Sequence, residues 1–209
     1  MSLDFNGTTD YVVIPDAPKY SFGSGTTDTR FTVSAWVNMD DATKFRMICK
    51  RASLNKEWMF TTDATDLLRF DVIDDSAGVQ QYVSSVALTS YEGTWIHVAG
   101  TYDGRGGASA SDGLEVYING ANATNARGNT GAGYVAMEPL AANVEIGRLG
   151  DVGDFANGKM TDVGLYDRIL TPNEIRTLAK RPNIAYELKR RRVYSAATGN
   201  RRRRLLIGT

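Results

Sequence analysis

This 209-residue chain offers chemistry one histidine and one cysteine, and neither has a partner of the right kind. His97 lies inside Trp95–Tyr102, with no Gly-x-Ser-x-Gly motif and no second histidine to make a metal pair. It reads as a structural side chain rather than a general base. Cys49 sits in Arg46-Met-Ile-Cys-Lys50, a half-buried strand pattern, and reads as a core thiol. A lone cysteine excludes an internal disulfide, and one Cys with one His cannot build a zinc site of the usual composition.

The carboxylates are equally scattered. Glu57, Glu92, Glu115, Glu138, Glu145 and Glu174 sit singly, whereas a retaining glycosidase needs two carboxyls about 5–5.5 Å apart. Asp71, Asp74 and Asp75 come nearest to a cluster and read as a strand end with an acidic turn. Calcium is the one ion to weigh, because it takes oxygens from carboxylates and backbone carbonyls. Asp103 with Asp112, and Asp151 with Asp154 near Asn157, have suitable chemistry, although neither segment has an EF-hand pattern. No cofactor is otherwise required. The glycine-rich run 103–113 lacks the Gly-Lys-Ser/Thr ending of a phosphate loop and reads as a long surface loop. Tyr20, Tyr82, Tyr91 and Tyr134 flank loops and could stack on a sugar, with nothing to select one of them.

Charge gives the sharper signal. The formal net charge is zero, yet residues 180–209 hold ten Lys or Arg against the single acid Glu187, a local charge of +9. Fourteen bases and twenty-three acids remain for residues 1–179, giving −9. An acidic body with a basic tail points to partners. Three readings of the tail stand open. It is a solvated segment, or its arginines neutralise nucleic-acid phosphates, or it is an arm that docks on an acidic protein surface. The residues expected to make that contact are Arg190, Arg191, Arg192, Tyr194, Arg201, Arg202, Arg203, Arg204, Leu205, Leu206 and Ile207.

The elements that must position these groups are strands. Runs rich in β-branched and aromatic residues recur between turn signals: 11–14, 31–39, 46–50, 58–61, 67–73, 80–86, 95–102, 114–118, 144–147 and 159–166. Alternation in the run from Phe31 puts Phe31, Val33, Ala35 and Val37 on one face, opposite Thr32, Ser34 and Trp36. Asn119-Gly120 marks a two-residue hairpin turn. Thr171-Pro-Asn-Glu174 is a capping box opening one short helix that carries Ile175 and Leu178 and stops at Pro182. The expected architecture is all-β, a two-sheet antiparallel jelly-roll sandwich over 1–180, followed by a basic arm over 181–209. No run of about 18 apolar residues could span a bilayer, so no membrane partner is expected. The start, Met-Ser-Leu-Asp-Phe, shows no export signal.

Several segments carry a family signature in order. The opening Leu3-Asp-Phe-Asn-Gly-Thr-Thr-Asp-Tyr-Val-Val-Ile-Pro15 resembles the first hairpin of a laminin G-like jelly roll in the concanavalin A-like lectin/glucanase superfamily. Phe31–Val37, Trp95–Gly104, Leu114–Gly120, Ile146–Arg148, Phe155–Gly158 and Met160–Glu174 are similar to the segments that follow it. The resemblance implies a concanavalin A-like sandwich and a non-catalytic binding role. The glucanase branch's Glu-x-Asp-x-x-Glu pattern is missing, so the chain is not expected to be an enzyme. The tail loosely resembles Arg-rich Val-Tyr endings of phage-encoded jelly rolls. With the small size and the missing export signal, this favours a virion protein, decorating a capsid or associated with a tail and oligomeric with its partner subunits. The alternative is a carbohydrate-binding or adhesion module at a bacterial surface or secreted, and a glucanase is the weakest reading.

Overall fold

A computed structural model describes residues 2–150 and 152–182. In chain order its strands are β1 (Leu3–Asn6), β2 (Val12–Ile14), β3 (Phe31–Met39), β4 (Arg46–Ala52) and β5 (Asn55–Thr62). There follow β6 (Leu67–Asp74), β7 (Val79–Ala87), β8 (Ile96–Tyr102), β9 (Leu114–Ile118) and β10 (Ala121–Asn122). The last are β11 (Ala126–Asn129), β12 (Val144–Ile146), β13 (Arg148–Leu149), β14 (Asp154–Phe155) and β15 (Asn157–Tyr166), before the helix α1 (Pro172–Lys180).

Two antiparallel sheets face each other. The six-stranded sheet runs β1-β15-β3-β8-β9-β10 and the seven-stranded sheet β11-β7-β6-β5-β4-β12-β2, with β13-β14 as a separate small ribbon. This is the expected jelly-roll sandwich. The opening segment differs from a hairpin: β1 pairs with β15 in one sheet and β2 with β12 in the other. The turn between them, held by Asn6 Oδ1 accepting from the Thr8 and Thr9 amides at 3.0 and 2.8 Å, crosses from sheet to sheet.

Period-2 alternation decides what lies between the sheets. Phe31, Val33, Ala35 and Val37 are fully buried, together with Val98 of the neighbouring β8 and Trp58, Phe60 and Phe70 of the facing sheet. Phe22 stacks on Phe31 with ring centroids 4.1 Å apart. Asn119 and Gly120 both have positive φ, as a type I′ turn demands, and join β9 to β10 in two residues. The capping box of α1 is present in full: Thr171 and Glu174 exchange backbone–side-chain bonds. α1 lays Ile175 on Ala99 and Tyr117 across the outer face of the six-stranded sheet. Trp36 Nε1 donates to the Leu178 carbonyl beside it.

Buried polar groups tie the loops to this frame. Asp28 accepts from the Tyr102 and Tyr134 hydroxyls at 2.7 and 2.8 Å and from the Met137 amide at 2.8 Å, joining its own loop to the end of β8 and to the loop before β12. Burial pushes the Asp28 carboxyl up, and those donors oppose it. His97 packs edge-on against Trp36 with ring centroids 5.7 Å apart, a structural position as expected.

Candidate binding cleft

The β12–β13 bend builds the site. β12 runs between β4 and β2, so Val144 and Ile146 enter the core while Glu145 points to the outer face of the seven-stranded sheet. Gly147 then turns the chain with φ +84°, and a Cβ there would lie 2.3 Å from the Phe5 ring. Only glycine combines that conformation with that approach. The bend folds the β13–β14 ribbon back over the sheet. Leu149 is buried there on Cys49 and Met59, and the Cys49 thiol donates to the Arg148 carbonyl at 3.2 Å. Cys49 is thus buried as expected, but on the sheet's outer face.

Between this ribbon and the β4–β5 turn lies a cleft of about 380 Å3. Arg51, Ser53, Asn143, Glu145, Arg148 and Gly150 line it. Its volume falls at the low end of small-molecule sites, roughly 300–1,000 Å3. Arg148 clasps Glu145 through two donors, Nε to Oε2 at 3.0 Å and Nη2 to Oε1. The carboxylate beside it holds the Arg148 guanidinium more firmly charged. That guanidinium also lies 3.6 Å over the Tyr11 ring, a cation–π contact. Gly150 closes one wall, where a Cβ would come within 2.6 Å of Glu145 Oε2. On another wall, Asn143 Oδ1 accepts from the Asp16 amide at 3.2 Å.

Several exposed apolar residues neighbour this lining. Leu54 is 82% exposed, Val152 53%, Tyr11 42% and Val13 41%. Leu54 follows the lining residue Ser53, Val152 stands two residues from Gly150, and Val13 is the register partner of Glu145. Exposed apolar side chains gathered around convergent polar groups mark an interaction site more often than isolated ones do.

The residues singled out by type fall elsewhere. Asp103 is clasped by Arg105 Nε and Nη2 at 2.9 and 2.6 Å, which holds its carboxyl below the usual range. Asp112 adds its field to the same guanidinium, after Asp103. Asp154 pairs with Arg46 Nη2 at 2.5 Å and with Lys44 at 3.6 Å, while Asp151 lies outside the described residues. Among the described residues no three His, Cys, Asp or Glu side chains gather as metal ligands. Of the described members of the calcium set, Asp103 and Asp154 face guanidinium groups. Tyr134 is buried on Asp28, Tyr82 lies under Arg69 at 3.9 Å, and Tyr20 and Tyr91 pack against the core. Arg190, Arg191, Arg192, Tyr194, Arg201, Arg202, Arg203, Arg204, Leu205, Leu206 and Ile207 all lie outside the described residues. Sequence reasoning missed the cleft. Tyr11 and Glu145 stood as ordinary strand residues, and the available signal was Ile146-Gly147-Arg148, a strand broken by glycine before a charged residue.

Solved structures share this fold at low identity. A heptameric SAP-like pentraxin from Limulus polyphemus matches with a TM-score of 0.53 at 16% identity, over 85% of this chain and 81% of that one. A botulinum neurotoxin type C structure, whose passage into cells depends on interaction with two ganglioside molecules, matches at 0.57 and 15%, over 84% and 42%. The binding domain of botulinum neurotoxin DC in complex with SialylT matches at 0.58 and 14%, over 84% and 41%. The chain thus spans about two-fifths of those toxin chains. No curated protein sequence matches significantly. A model of the concanavalin A-like lectin/glucanases superfamily, its laminin G type, matches residues 6–176, and the chain belongs to that superfamily.

Proposed function

We propose that this protein is a non-catalytic binding module that takes a glycan in the cleft between the β4–β5 turn and the β13–β14 ribbon. The carrying observation is the chemistry of that cleft. Asn143, Glu145 and Arg148 line it with donors and acceptors, and the exposed apolar side chains of Tyr11, Val13, Leu54 and Val152 neighbour that lining in contact, register or sequence. Sugars present the same combination, hydroxyls around apolar C–H faces. Toxin fold neighbours, a binding domain in complex with SialylT and a neurotoxin whose cell entry depends on gangliosides, lend the reading support. A glycan array with the full chain tests it: binding abolished by Tyr11→Ala is expected, and no binding to any glycan overturns it.

A second observation favours a second role for the same protein. The body carries −9 and residues 180–209 carry +9. Opposite fields of that size steer docking and make it salt-sensitive. We place the protein on a virion, as a capsid decoration or tail-associated subunit whose sandwich faces outward while the basic arm holds an acidic partner subunit. Native mass of the full chain against a chain stopped at Pro182, in low and high salt, tests this. Assembly or particle binding by the full chain alone, weakened by salt, is expected. Identical monomers under all conditions overturn the arm's role and leave the cleft reading standing.

A further inference from the structure

The glycan reading leaves the sugar class open, and the arrangement of three residues narrows it. Arg148 Nε and Nη2 are both directed at the Glu145 carboxylate, so its bidentate edge is already filled. A ligand carboxylate would have to displace Glu145, which is buried, from a charge-assisted fork. Acidic sugars are therefore poor occupants of this end of the cleft. A carboxylate and a guanidinium held side by side instead offer an acceptor next to a donor. Two neighbouring hydroxyls of one ring match that pattern, since each hydroxyl can donate or accept. The same guanidinium covers one face of the Tyr11 ring, and the part of Tyr11 left exposed flanks the polar pair. The cleft's volume, about 380 Å3, suits one ring rather than a continuous chain.

We infer that the Glu145–Arg148 pair reads a vicinal diol on a neutral terminal pyranose, one hydroxyl donating to Glu145 and its neighbour accepting from Arg148, with the exposed part of Tyr11 beside the sugar ring. This rests on the glycan reading of the cleft and adds the sugar class and the residues that choose it. Gly150 belongs to the device. Any side chain there would press on the Glu145 carboxylate that the diol must reach.

The test is a titration of the isotope-labelled full chain with methyl glycosides of neutral hexoses, their singly deoxygenated or O-methylated analogues, and N-acetylneuraminic acid. The amide signals of Asn143 and Gly150 report occupancy of the cleft. Expected are shifts at both amides with a neutral glycoside, and at least about tenfold weaker binding when one diol hydroxyl is removed. Glu145→Gln should weaken binding by a similar factor. Because Glu145 also pairs with Arg148, melting of that variant is checked, and exposed Tyr11→Ala serves as the independent variant expected to lose binding. Preference for the acidic sugar overturns the inference. So does neutral-sugar binding in the cleft that ignores both deoxygenation and Glu145→Gln, although the glycan reading then survives. Binding that leaves Asn143 and Gly150 unshifted moves the site elsewhere and overturns the inference together with the placing of a glycan in this cleft, while a glycan-binding role survives. No binding by any sugar overturns the inference and the glycan reading together.

Discussion

Lys50 Nζ of β4 and Glu57 Oε1 of β5 lie 2.6 Å apart, with both side chains fully buried. The ammonium also donates to the carbonyls of Leu140 and Ala142 at 2.6 and 3.0 Å, and Glu57 Oε1 accepts from the Leu140 amide at 2.9 Å. The pair therefore holds the loop whose next residue, Asn143, lines the cleft. Lys50→Met strands a buried carboxylate and should cost about 3–5 kcal/mol in urea unfolding. Adding Glu57→Gln removes the stranded charge and should recover part of that loss. Equal stability of wild type and Lys50→Met would show that the pair does not carry the loop.

His97 supplies a pH dependence. Burial lowers its pKa from 6.5 to about 4, and Nδ1 has no hydrogen-bond partner among the described residues. As pH falls, the unfolded chain takes up the proton first. Stability is complete above pH 6.5 and is lost as pH descends through about 4, by roughly 3 kcal/mol at the limit. His97→Leu should lack that component. The difference between wild type and variant, followed from pH 7.5 to 4.5, isolates it from the buried acids. A constant difference would contradict the assignment.

Gly147 links the fold to the cleft. A methyl group there meets the Phe5 ring at 2.3–2.4 Å in a left-handed conformation, φ +84°. Gly147→Ala should cost about 2–4 kcal/mol and weaken ligand binding by displacing β13. A thermal melt and a glycan titration on the same variant check both effects. Gly78→Ala, at a positive φ with nothing within 4 Å, should show only the smaller conformational cost.

Calcium should not shift the melting midpoint. Asp103 is clasped by Arg105 and Asp154 by Arg46, so the described carboxylates already face guanidinium groups. Melting in millimolar calcium and in chelator should coincide. A midpoint raised by calcium would restore Asp103, Asp112, Asp151 and Asp154 as ligands and demand rearranged arginines.

Thr171→Ala should lower stability by about 1 kcal/mol, because it removes the cap that accepts from the Glu174 amide. Helix loss would also uncover Tyr117 and Ala99, so the change should appear as one cooperative transition.

Much of the architecture was legible in the residues because it rests on local rules. Alternation from Phe31 to Val37 assigned the core face, Asn119-Gly120 demanded its turn, and Thr171 to Glu174 started the helix. Each depends on neighbours within a few positions, where side-chain period and backbone conformation are set by chemistry alone. Which sheet each strand joins is not local, and so the opening segment split between the sheets instead of closing on itself. The cleft is less local still. Tyr11 and Glu145 stand 134 positions apart, and only the pairing of β2 with β12 brings them together. Arg148 reaches Tyr11 because Gly147 bends β13 over the outer face, where Leu149 finds Cys49 and Met59. By itself the sequence determined an acidic sandwich with a basic tail and its longer strands, but not the short β13–β14 ribbon. The tertiary structure alone decided which charges face one another, because ion pairs and aromatic contacts across strands follow from non-local register, which no short window of residues contains.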